Sequence, residues 1–151
     1  MAQSAVPPEA ENVLGGYALE EQVGFLLRRA HQRHAAIFLE TMAALDLTPT
    51  QFAALVKIIE IGRVTQNLLG RLTAMDPATI QGVVRRLVDR QLVERALDPM
   101  DRRTSVLIPT AAGTDLAGRA VISARAITEA TLSPLGADER DTLTALLRKL
   151  G

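Results

Sequence analysis

Arginine carries most of the chemistry this sequence offers. Of its 17 basic residues only Lys57 and Lys149 are lysines. Between Arg63 and Arg103 eight arginines stand against five acids, a net +3. Met1 to Leu45 holds five glutamates against three arginines, a net −2. The formal charge of zero therefore hides a polarity between segments, a signal that points towards a nucleic-acid partner for the basic stretch. A guanidinium is planar, permanently charged and able to grip a phosphate or a guanine edge with two parallel N–H groups. Arg85-Arg86 and Arg102-Arg103 are the pairs placed to do so.

Other chemistries find little support. His31 and His34 are the only histidines and share one helix face, close to Arg28 and Arg29. A packed or surface pair, a metal site and a ligand pocket are the three readings open to them. A metal needs a third ligand, and no further histidine, no cysteine and no obviously placed carboxylate provides one, so no metal is expected. The lack of cysteine excludes disulfides and a thiolate nucleophile. No glycine-rich phosphate loop, nucleophile motif or spaced acid–base pair is present, so neither an enzyme nor a cofactor is expected. The 151 residues, 48% apolar and 23% charged, suit one globular domain with or without arms. No run approaches the length of a membrane span. Met1 to Pro8 lacks the basic and apolar regions of a signal peptide. A cytoplasmic location is expected.

The elements that must position the arginines are mostly helices. Residues 1–16, with Pro7-Pro8 and Gly15-Gly16, read as a flexible arm. Tyr17 to Leu45 repeats apolar residues at helical spacing and predicts one long helix. Thr48-Pro49-Thr50-Gln51 combines a cap, a first-turn proline and a capping box, opening a helix that should stop near Gly62. A short helix from Thr65 to about Leu72 should bury Leu68, Leu69 and Leu72. Asp76-Pro77 starts another, to about Arg90. Val93, Arg95 and Leu97, then Thr104, Val106 and Ile108, alternate with their neighbours on either side of a turn-rich Asp98-Pro99-Met100-Asp101 segment. That pattern predicts a β-hairpin ended by Pro109. Thr110 caps an alanine-rich helix to about Leu132. A last helix, Ala137 to Leu150, should bury Leu143, Leu146, Leu147 and Leu150. The fold class is mainly α with a small β-hairpin wing: a winged helix-turn-helix plus helical region.

One hundred degrees per residue places Ile80, Val83, Val84, Leu87 and Val88 on one stripe of the fourth helix. Ala78, Gly82, Arg85, Arg86 and Asp89 lie opposite, flanked by Thr79 and Gln81. That outward face is small near its start and basic near its middle, which suits a major groove. Glycine costs a helix interior about 1 kcal/mol relative to alanine, and at position 82 its bareness would permit close approach of a large partner. Arg102 and Arg103 at the hairpin tip would meet phosphates or the minor groove. The expected DNA-binding residues are Thr79, Gln81, Gly82, Arg85, Arg86, Arg102 and Arg103.

Thr48-Pro49-x-Gln51, Asp76-Pro77-Ala78-Thr79, Leu92-Val93-Glu94-Arg95, Asp98-x-x-Asp101-Arg102-Arg103 and Thr110-x-x-Gly113 together resemble the MarR family of bacterial transcriptional regulators. The resemblance covers nearly the whole chain, because Leu135 to Leu150 is similar to that family's closing helix. It implies an obligate homodimer whose first and last helices interlock, with 17–46 and 111–151 as the dimerisation region and 47–110 as the DNA-binding region. Two positions depart from the pattern: Gln91 stands where glycine is usual, and Pro109 where an apolar residue is usual. Gln91 could then adopt a left-handed conformation. The helix from Tyr17 to His34 resembles a subset of regulators that sense aromatic acids or their coenzyme A thioesters. With an anionic aromatic ligand in view, Arg28, Arg29, His31 and His34 become candidates for its acid group, and Phe38 and Phe52 for its ring. The expected function is a ligand-responsive repressor of a catabolic or efflux operon, released from a pseudo-palindromic operator. The alternatives are a winged-helix protein-interaction module or a regulator of a different signal.

Overall fold

The structure, a computed structural model, describes residues 13–151. The arm expected over residues 1–16 lies outside the described residues as far as residue 12. The chain divides into two compact units, residues 1–33 and 34–151.

In the first unit Gly15 and Gly16 take φ of 55° and 81°, and the turn is closed by the Tyr17 N–H donating to the Leu14 carbonyl at 2.8 Å. A 3-10 turn, Leu19–Glu21, precedes helix α1, Val23–Met42. The boundary between the units falls within α1. The single helix expected from Tyr17 to Leu45 is therefore shorter at both ends. Gln22 is extended, with φ −80° and ψ 136°, and its side-chain amide donates to the Ala18 carbonyl at 2.8 Å. At the other end a second 3-10 turn, Ala43–Leu45, stops at Asp46, which is left-handed with φ 49°. Apolar spacing does not separate these turns from α-helix, because residues three apart share a face in both.

In the second unit local chemistry sets each helix start. Helix α2, Pro49–Ile61, opens on the expected capping box: Thr48 Oγ1 accepts from Gln51 N, and Gln51 Oε1 accepts from Thr48 N, both at 3.2 Å. Gly62, at φ 81°, ends it. Helix α3, Gln66–Leu72, starts at Thr65, and helix α4, Pro77–Asp89, at Asp76. Of the three leucines expected to be buried by α3, only Leu69 is; Leu68 and Leu72 are exposed. A helix of two turns presents too narrow an inward stripe to bury all three.

Strands β1, Val93–Leu97, and β2, Ser105–Pro109, pair antiparallel, with Val93 opposite Pro109 and Leu97 opposite Ser105. Pro109 ends β2 as its missing donor requires. The strict alternation expected of the hairpin does not hold. Leu97 is exposed, while Val106 and Leu107 are both buried. Leu107 exchanges two backbone hydrogen bonds with Val64, at 3.1 and 2.7 Å, so β2 is paired on both edges at that point.

Helix α5, Ala111–Leu132, follows the Thr110 cap, and helix α6, Ala137–Leu150, closes the chain. The core of this unit joins Leu55 and Ile58 of α2, Ile80, Val84 and Leu87 of α4, Leu107 of β2 and Ala120 of α5. The leucines of α6 do not join it. Leu143, Leu146, Leu147 and Leu150, expected to be buried by α6, are 36–72% exposed in the single chain. Their spacing makes an apolar row but does not say what covers it. Among the described residues no single helix is long and apolar enough to cross a membrane.

Candidate nucleic-acid interface and effector cavity

The outward face of α4 begins at its cap. Asp76 Oδ1 accepts from the Thr79 N–H at 2.9 Å and Oδ2 from the Thr79 hydroxyl at 2.6 Å. These bonds, the hydroxyl first, hold the Asp76 carboxyl below its ordinary range. Thr79 was expected at the interface and is exposed there, but its hydroxyl proton is committed to Asp76, so towards a partner it acts as an acceptor. Ile80, Val83, Val84 and Leu87 are buried, as the helical wheel required, and Val88 is half-buried. On the other side Gln81, Arg85, Arg86 and Asp89 are exposed. Gly82 is half-buried, yet a Cβ built there meets nothing within 4 Å. Packing among the described residues therefore gives no reason for glycine at 82.

The wing tip is built from two aspartates. Asp98 Oδ1 accepts from Met100 N at 2.9 Å. Asp101 accepts from Arg103 N at 3.0 Å and from the Thr104 hydroxyl at 2.8 Å. The Thr104 bond, and after it the Arg103 amide, lower the Asp101 carboxyl from its ordinary range. The turn is thus held by its own side chains and projects Arg102 and Arg103 outward, both exposed. Among the described residues the guanidinium groups of Arg85, Arg86, Arg102 and Arg103 have no hydrogen-bond or ion-pair partner. Four exposed cations without a partner thus stand on α4 and on the hairpin whose β1 packs against it, and such charges suit a polyanion.

A separate cavity of about 190 Å³ lies between helices of the second unit, lined by His34, Phe38, Pro49, Phe52, Ala124, Ile127 and Thr128. Phe38 stands 6.4 Å from His34 and 6.1 Å from Phe52, ring centre to ring centre. His34 Nδ1 is 3.1 Å from Thr131 Oγ1. Three of the six expected ligand residues, His34, Phe38 and Phe52, therefore come together. Arg28, Arg29 and His31 belong to the first unit, where all three are exposed and Arg29 lies 6.0 Å above the Phe25 ring. Within the single chain His34 is half-buried, and the other residues of the Arg28–His34 cluster, which was expected to turn partly inward, are exposed. That stretch of α1 is largely uncovered, its apolar Val23, Leu26 and Leu27 being exposed as well.

The MarR family sequence pattern matches residues 45–104. Over its whole length the chain is similar to the HTH-type transcriptional repressor NicR of Pseudomonas putida KT2440. The two are 39% identical over 150 residues, which span 99% of this chain and 95% of that relative. The chain belongs to the MarR family. Two solved structures agree. A probable transcriptional regulator from Pseudomonas aeruginosa is 46% identical with a TM-score of 0.85, over 89% of this chain and 100% of that one. Bordetella bronchiseptica BpsR, whose DNA binding is regulated by 6-hydroxynicotinic acid, is 40% identical with a TM-score of 0.86, over 90% of this chain and 97% of that one.

As a MarR-family transcriptional regulator the chain uses residues that sequence reasoning did not single out for a role. Arg95 of β1 donates to Gln66 Oε1, the first residue of α3, at 2.9 Å and ties the wing to the helix-turn-helix. Arg90 donates to the carbonyls of Leu45 and Asp46. Both contacts join residues 29 to 45 positions apart, and no local pattern announces them. Asp101 was read as a turn former; its bonds to Arg103 and Thr104 make it the brace of the wing tip. Gln91 is left-handed at φ 57°, in keeping with its place where the family usually has glycine.

Proposed function

We propose that this regulator is a dimeric cytoplasmic repressor that holds a pseudo-palindromic operator through α4 and the wing and is released by a small aromatic acid bound in the His34 cavity. Arg85 and Arg86, with Gln81, Thr79 and the bare Gly82, would face base edges. Arg102 and Arg103 would meet the phosphates or the minor groove beside them. The exposed leucine row of α6 supports a second copy as its cover, since monomers rarely leave large contiguous apolar faces to water. A twofold dimer sets its recognition helices roughly 34–36 Å apart, one turn of DNA. Residues 17–46 and 111–151 are assigned to that dimer and 47–110 to DNA.

The observation that carries the effector reading is the His34–Phe38–Phe52 cavity in a chain 40% identical to BpsR. Its volume lies below the roughly 300–1,000 Å³ of sites for drug-sized ligands, which favours a single-ring acid over a coenzyme A thioester. Phe38 and Phe52 would border the ring. His34 Nε2, which has no partner among the described residues, would meet the acid. A larger groove of about 420 Å³ on α6 is lined by Leu135, Leu143 and Leu146, but lacks basic groups to meet an acid. It fits the dimer interface better. The test is titration of 6-hydroxynicotinic acid into the protein, followed by fluorescence anisotropy on its own upstream DNA. The acid should raise the thermal midpoint and weaken operator binding together. Binding that leaves operator affinity unchanged, or no binding at all, defeats the effector reading and leaves the DNA-binding one standing.

A further inference from the structure

The two ends of α4 are anchored differently. Its start is held by the local Asp76–Thr79 cap. Its end is held by residues distant in sequence. Arg90, the residue after the helix, donates to the carbonyls of Asp46 and Leu45, the latter at 3.3 Å. Those carbonyls terminate the 3-10 turn that continues α1. A helix end leaves carbonyls without intrahelical donors, and a guanidinium meets them with charge-assisted bonds. The next residue, Gln91, turns left-handed and offers its carbonyl to the Thr110 hydroxyl at 2.7 Å. Thr110 N then donates to the Leu92 carbonyl at 3.2 Å. Gly113 presses so closely on that backbone that a Cβ would lie 2.0 Å from Leu92 O. Residues 90, 91 and 92 are thus fixed to the end of α1 and to the beginning of α5.

These are two of the helices that wall the His34 cavity. His34 and Phe38 come from α1, and Ala124, Ile127 and Thr128 from α5. Between Thr110 and Ala124 α5 runs without proline or break for about 20 Å at 1.5 Å per residue. Packed helices pass on small displacements as rigid bodies. We infer that Arg90 and Thr110 are positioning residues that couple occupancy of the His34 cavity to the angle at which α4 meets DNA. This rests on the effector reading above. Neither residue lines the His34 cavity, and neither is among the residues proposed above to meet DNA, although Arg90 borders Arg86 and Asp89 at the end of α4.

The test compares wild type with Arg90→Met, Thr110→Val and the double variant, using 6-hydroxynicotinic acid as the probe. Thr110→Ser keeps the hydroxyl and serves as the rescue. Gly113→Ala is set aside because the Leu92 contact would disrupt the fold. Three quantities are read: acid affinity by calorimetry, operator affinity without acid, and operator affinity at saturating acid. Wild type should lose about tenfold in operator affinity with acid, inside the roughly 5–150-fold range of allosteric couplings. The double variant should bind the acid and, without it, the operator within about threefold of wild type, yet respond to acid by less than about twofold. Thr110→Ser should respond in full. A structural role alone would lower ligand-free operator affinity or the thermal midpoint and leave the acid response at its wild-type ratio; that result overturns the inference. If wild type itself binds the acid without any change in operator affinity, or does not bind it, the effector reading falls and this inference falls with it.

Discussion

Helices α4 and α6 carry similar apolar stripes and meet opposite fates. Ile80, Val83, Val84 and Leu87 of α4 are buried against other elements of the same unit, leaving the basic face outside. Leu143, Leu146, Leu147 and Leu150 of α6 stay exposed, and no residue of α6 is buried. Periodicity therefore specifies a helix and its apolar side, but not whether the partner is the same chain. One helix spends its apolar stripe on the fold and presents cations. The other presents the apolar stripe itself.

The contrast can be broken from either side. The largest effect is expected from Leu146→Glu combined with Leu147→Glu. Sedimentation should show a folded monomer, and operator binding should fall by orders of magnitude, because only the dimer spans two half-sites. A dimer that persists would show that α6 does not meet a second copy. Next is Leu87→Ala, which empties a fully buried position and should cost about 2–5 kcal/mol in urea unfolding. If Leu87→Ala is as mild as a surface change, the assignment of α4's stripe to the core fails.

Two smaller effects sharpen the roles of the cations. Arg85→Ala should lose about 1–3 kcal/mol on the cognate operator and little on random duplex. Arg102→Ala should weaken both alike and reduce the slope of log affinity against log salt by about one. Identical behaviour of the two variants would remove the division between base reading and phosphate anchoring. The smallest effect concerns the Asp76 cap. Its carboxyl is lowered from 3.8 by the Thr79 bonds. The stabilisation is therefore present above that unfolded value and lost as pH falls through the lower folded one. In urea unfolding from pH 7 to pH 2, the advantage of wild type over Asp76→Ala should shrink below about pH 4. An advantage constant with pH would mean that the cap does not depend on the ionised carboxylate.

What was legible in the sequence was local. Thr48, Thr65, Asp76 and Thr110 each begin a helix where a short polar side chain can accept from an amide three residues on. Gly62 ends one where φ is positive. The outward face of α4 followed from a count of residues per turn. Arg90 was not legible as a tether, because its partners lie 44 and 45 residues away and a guanidinium on a helix end reads as solvated. The pairing of Val64 with Leu107 was hidden for the same reason: one bridge between distant residues leaves no period to detect. Three of the six candidate effector residues lie in the first unit, and their exposure there was not legible because helical phase alone does not tell whether a basic side chain turns in or extends to water. Arg28, Arg29 and His31 are exposed, whereas His34, one turn beyond His31, meets Thr131.

The unpartnered arginines of α4 and the wing make DNA binding the central claim, and a salt titration of duplex binding tests it most directly. Labelled DNA from upstream of the chain's own gene is compared with a scrambled duplex of equal length by anisotropy, from low salt to physiological salt. At physiological salt the upstream duplex should bind about a thousandfold or more tightly than the scrambled one, and both affinities should fall linearly with log salt. Equal affinity for the two duplexes, or binding insensitive to salt, would contradict it.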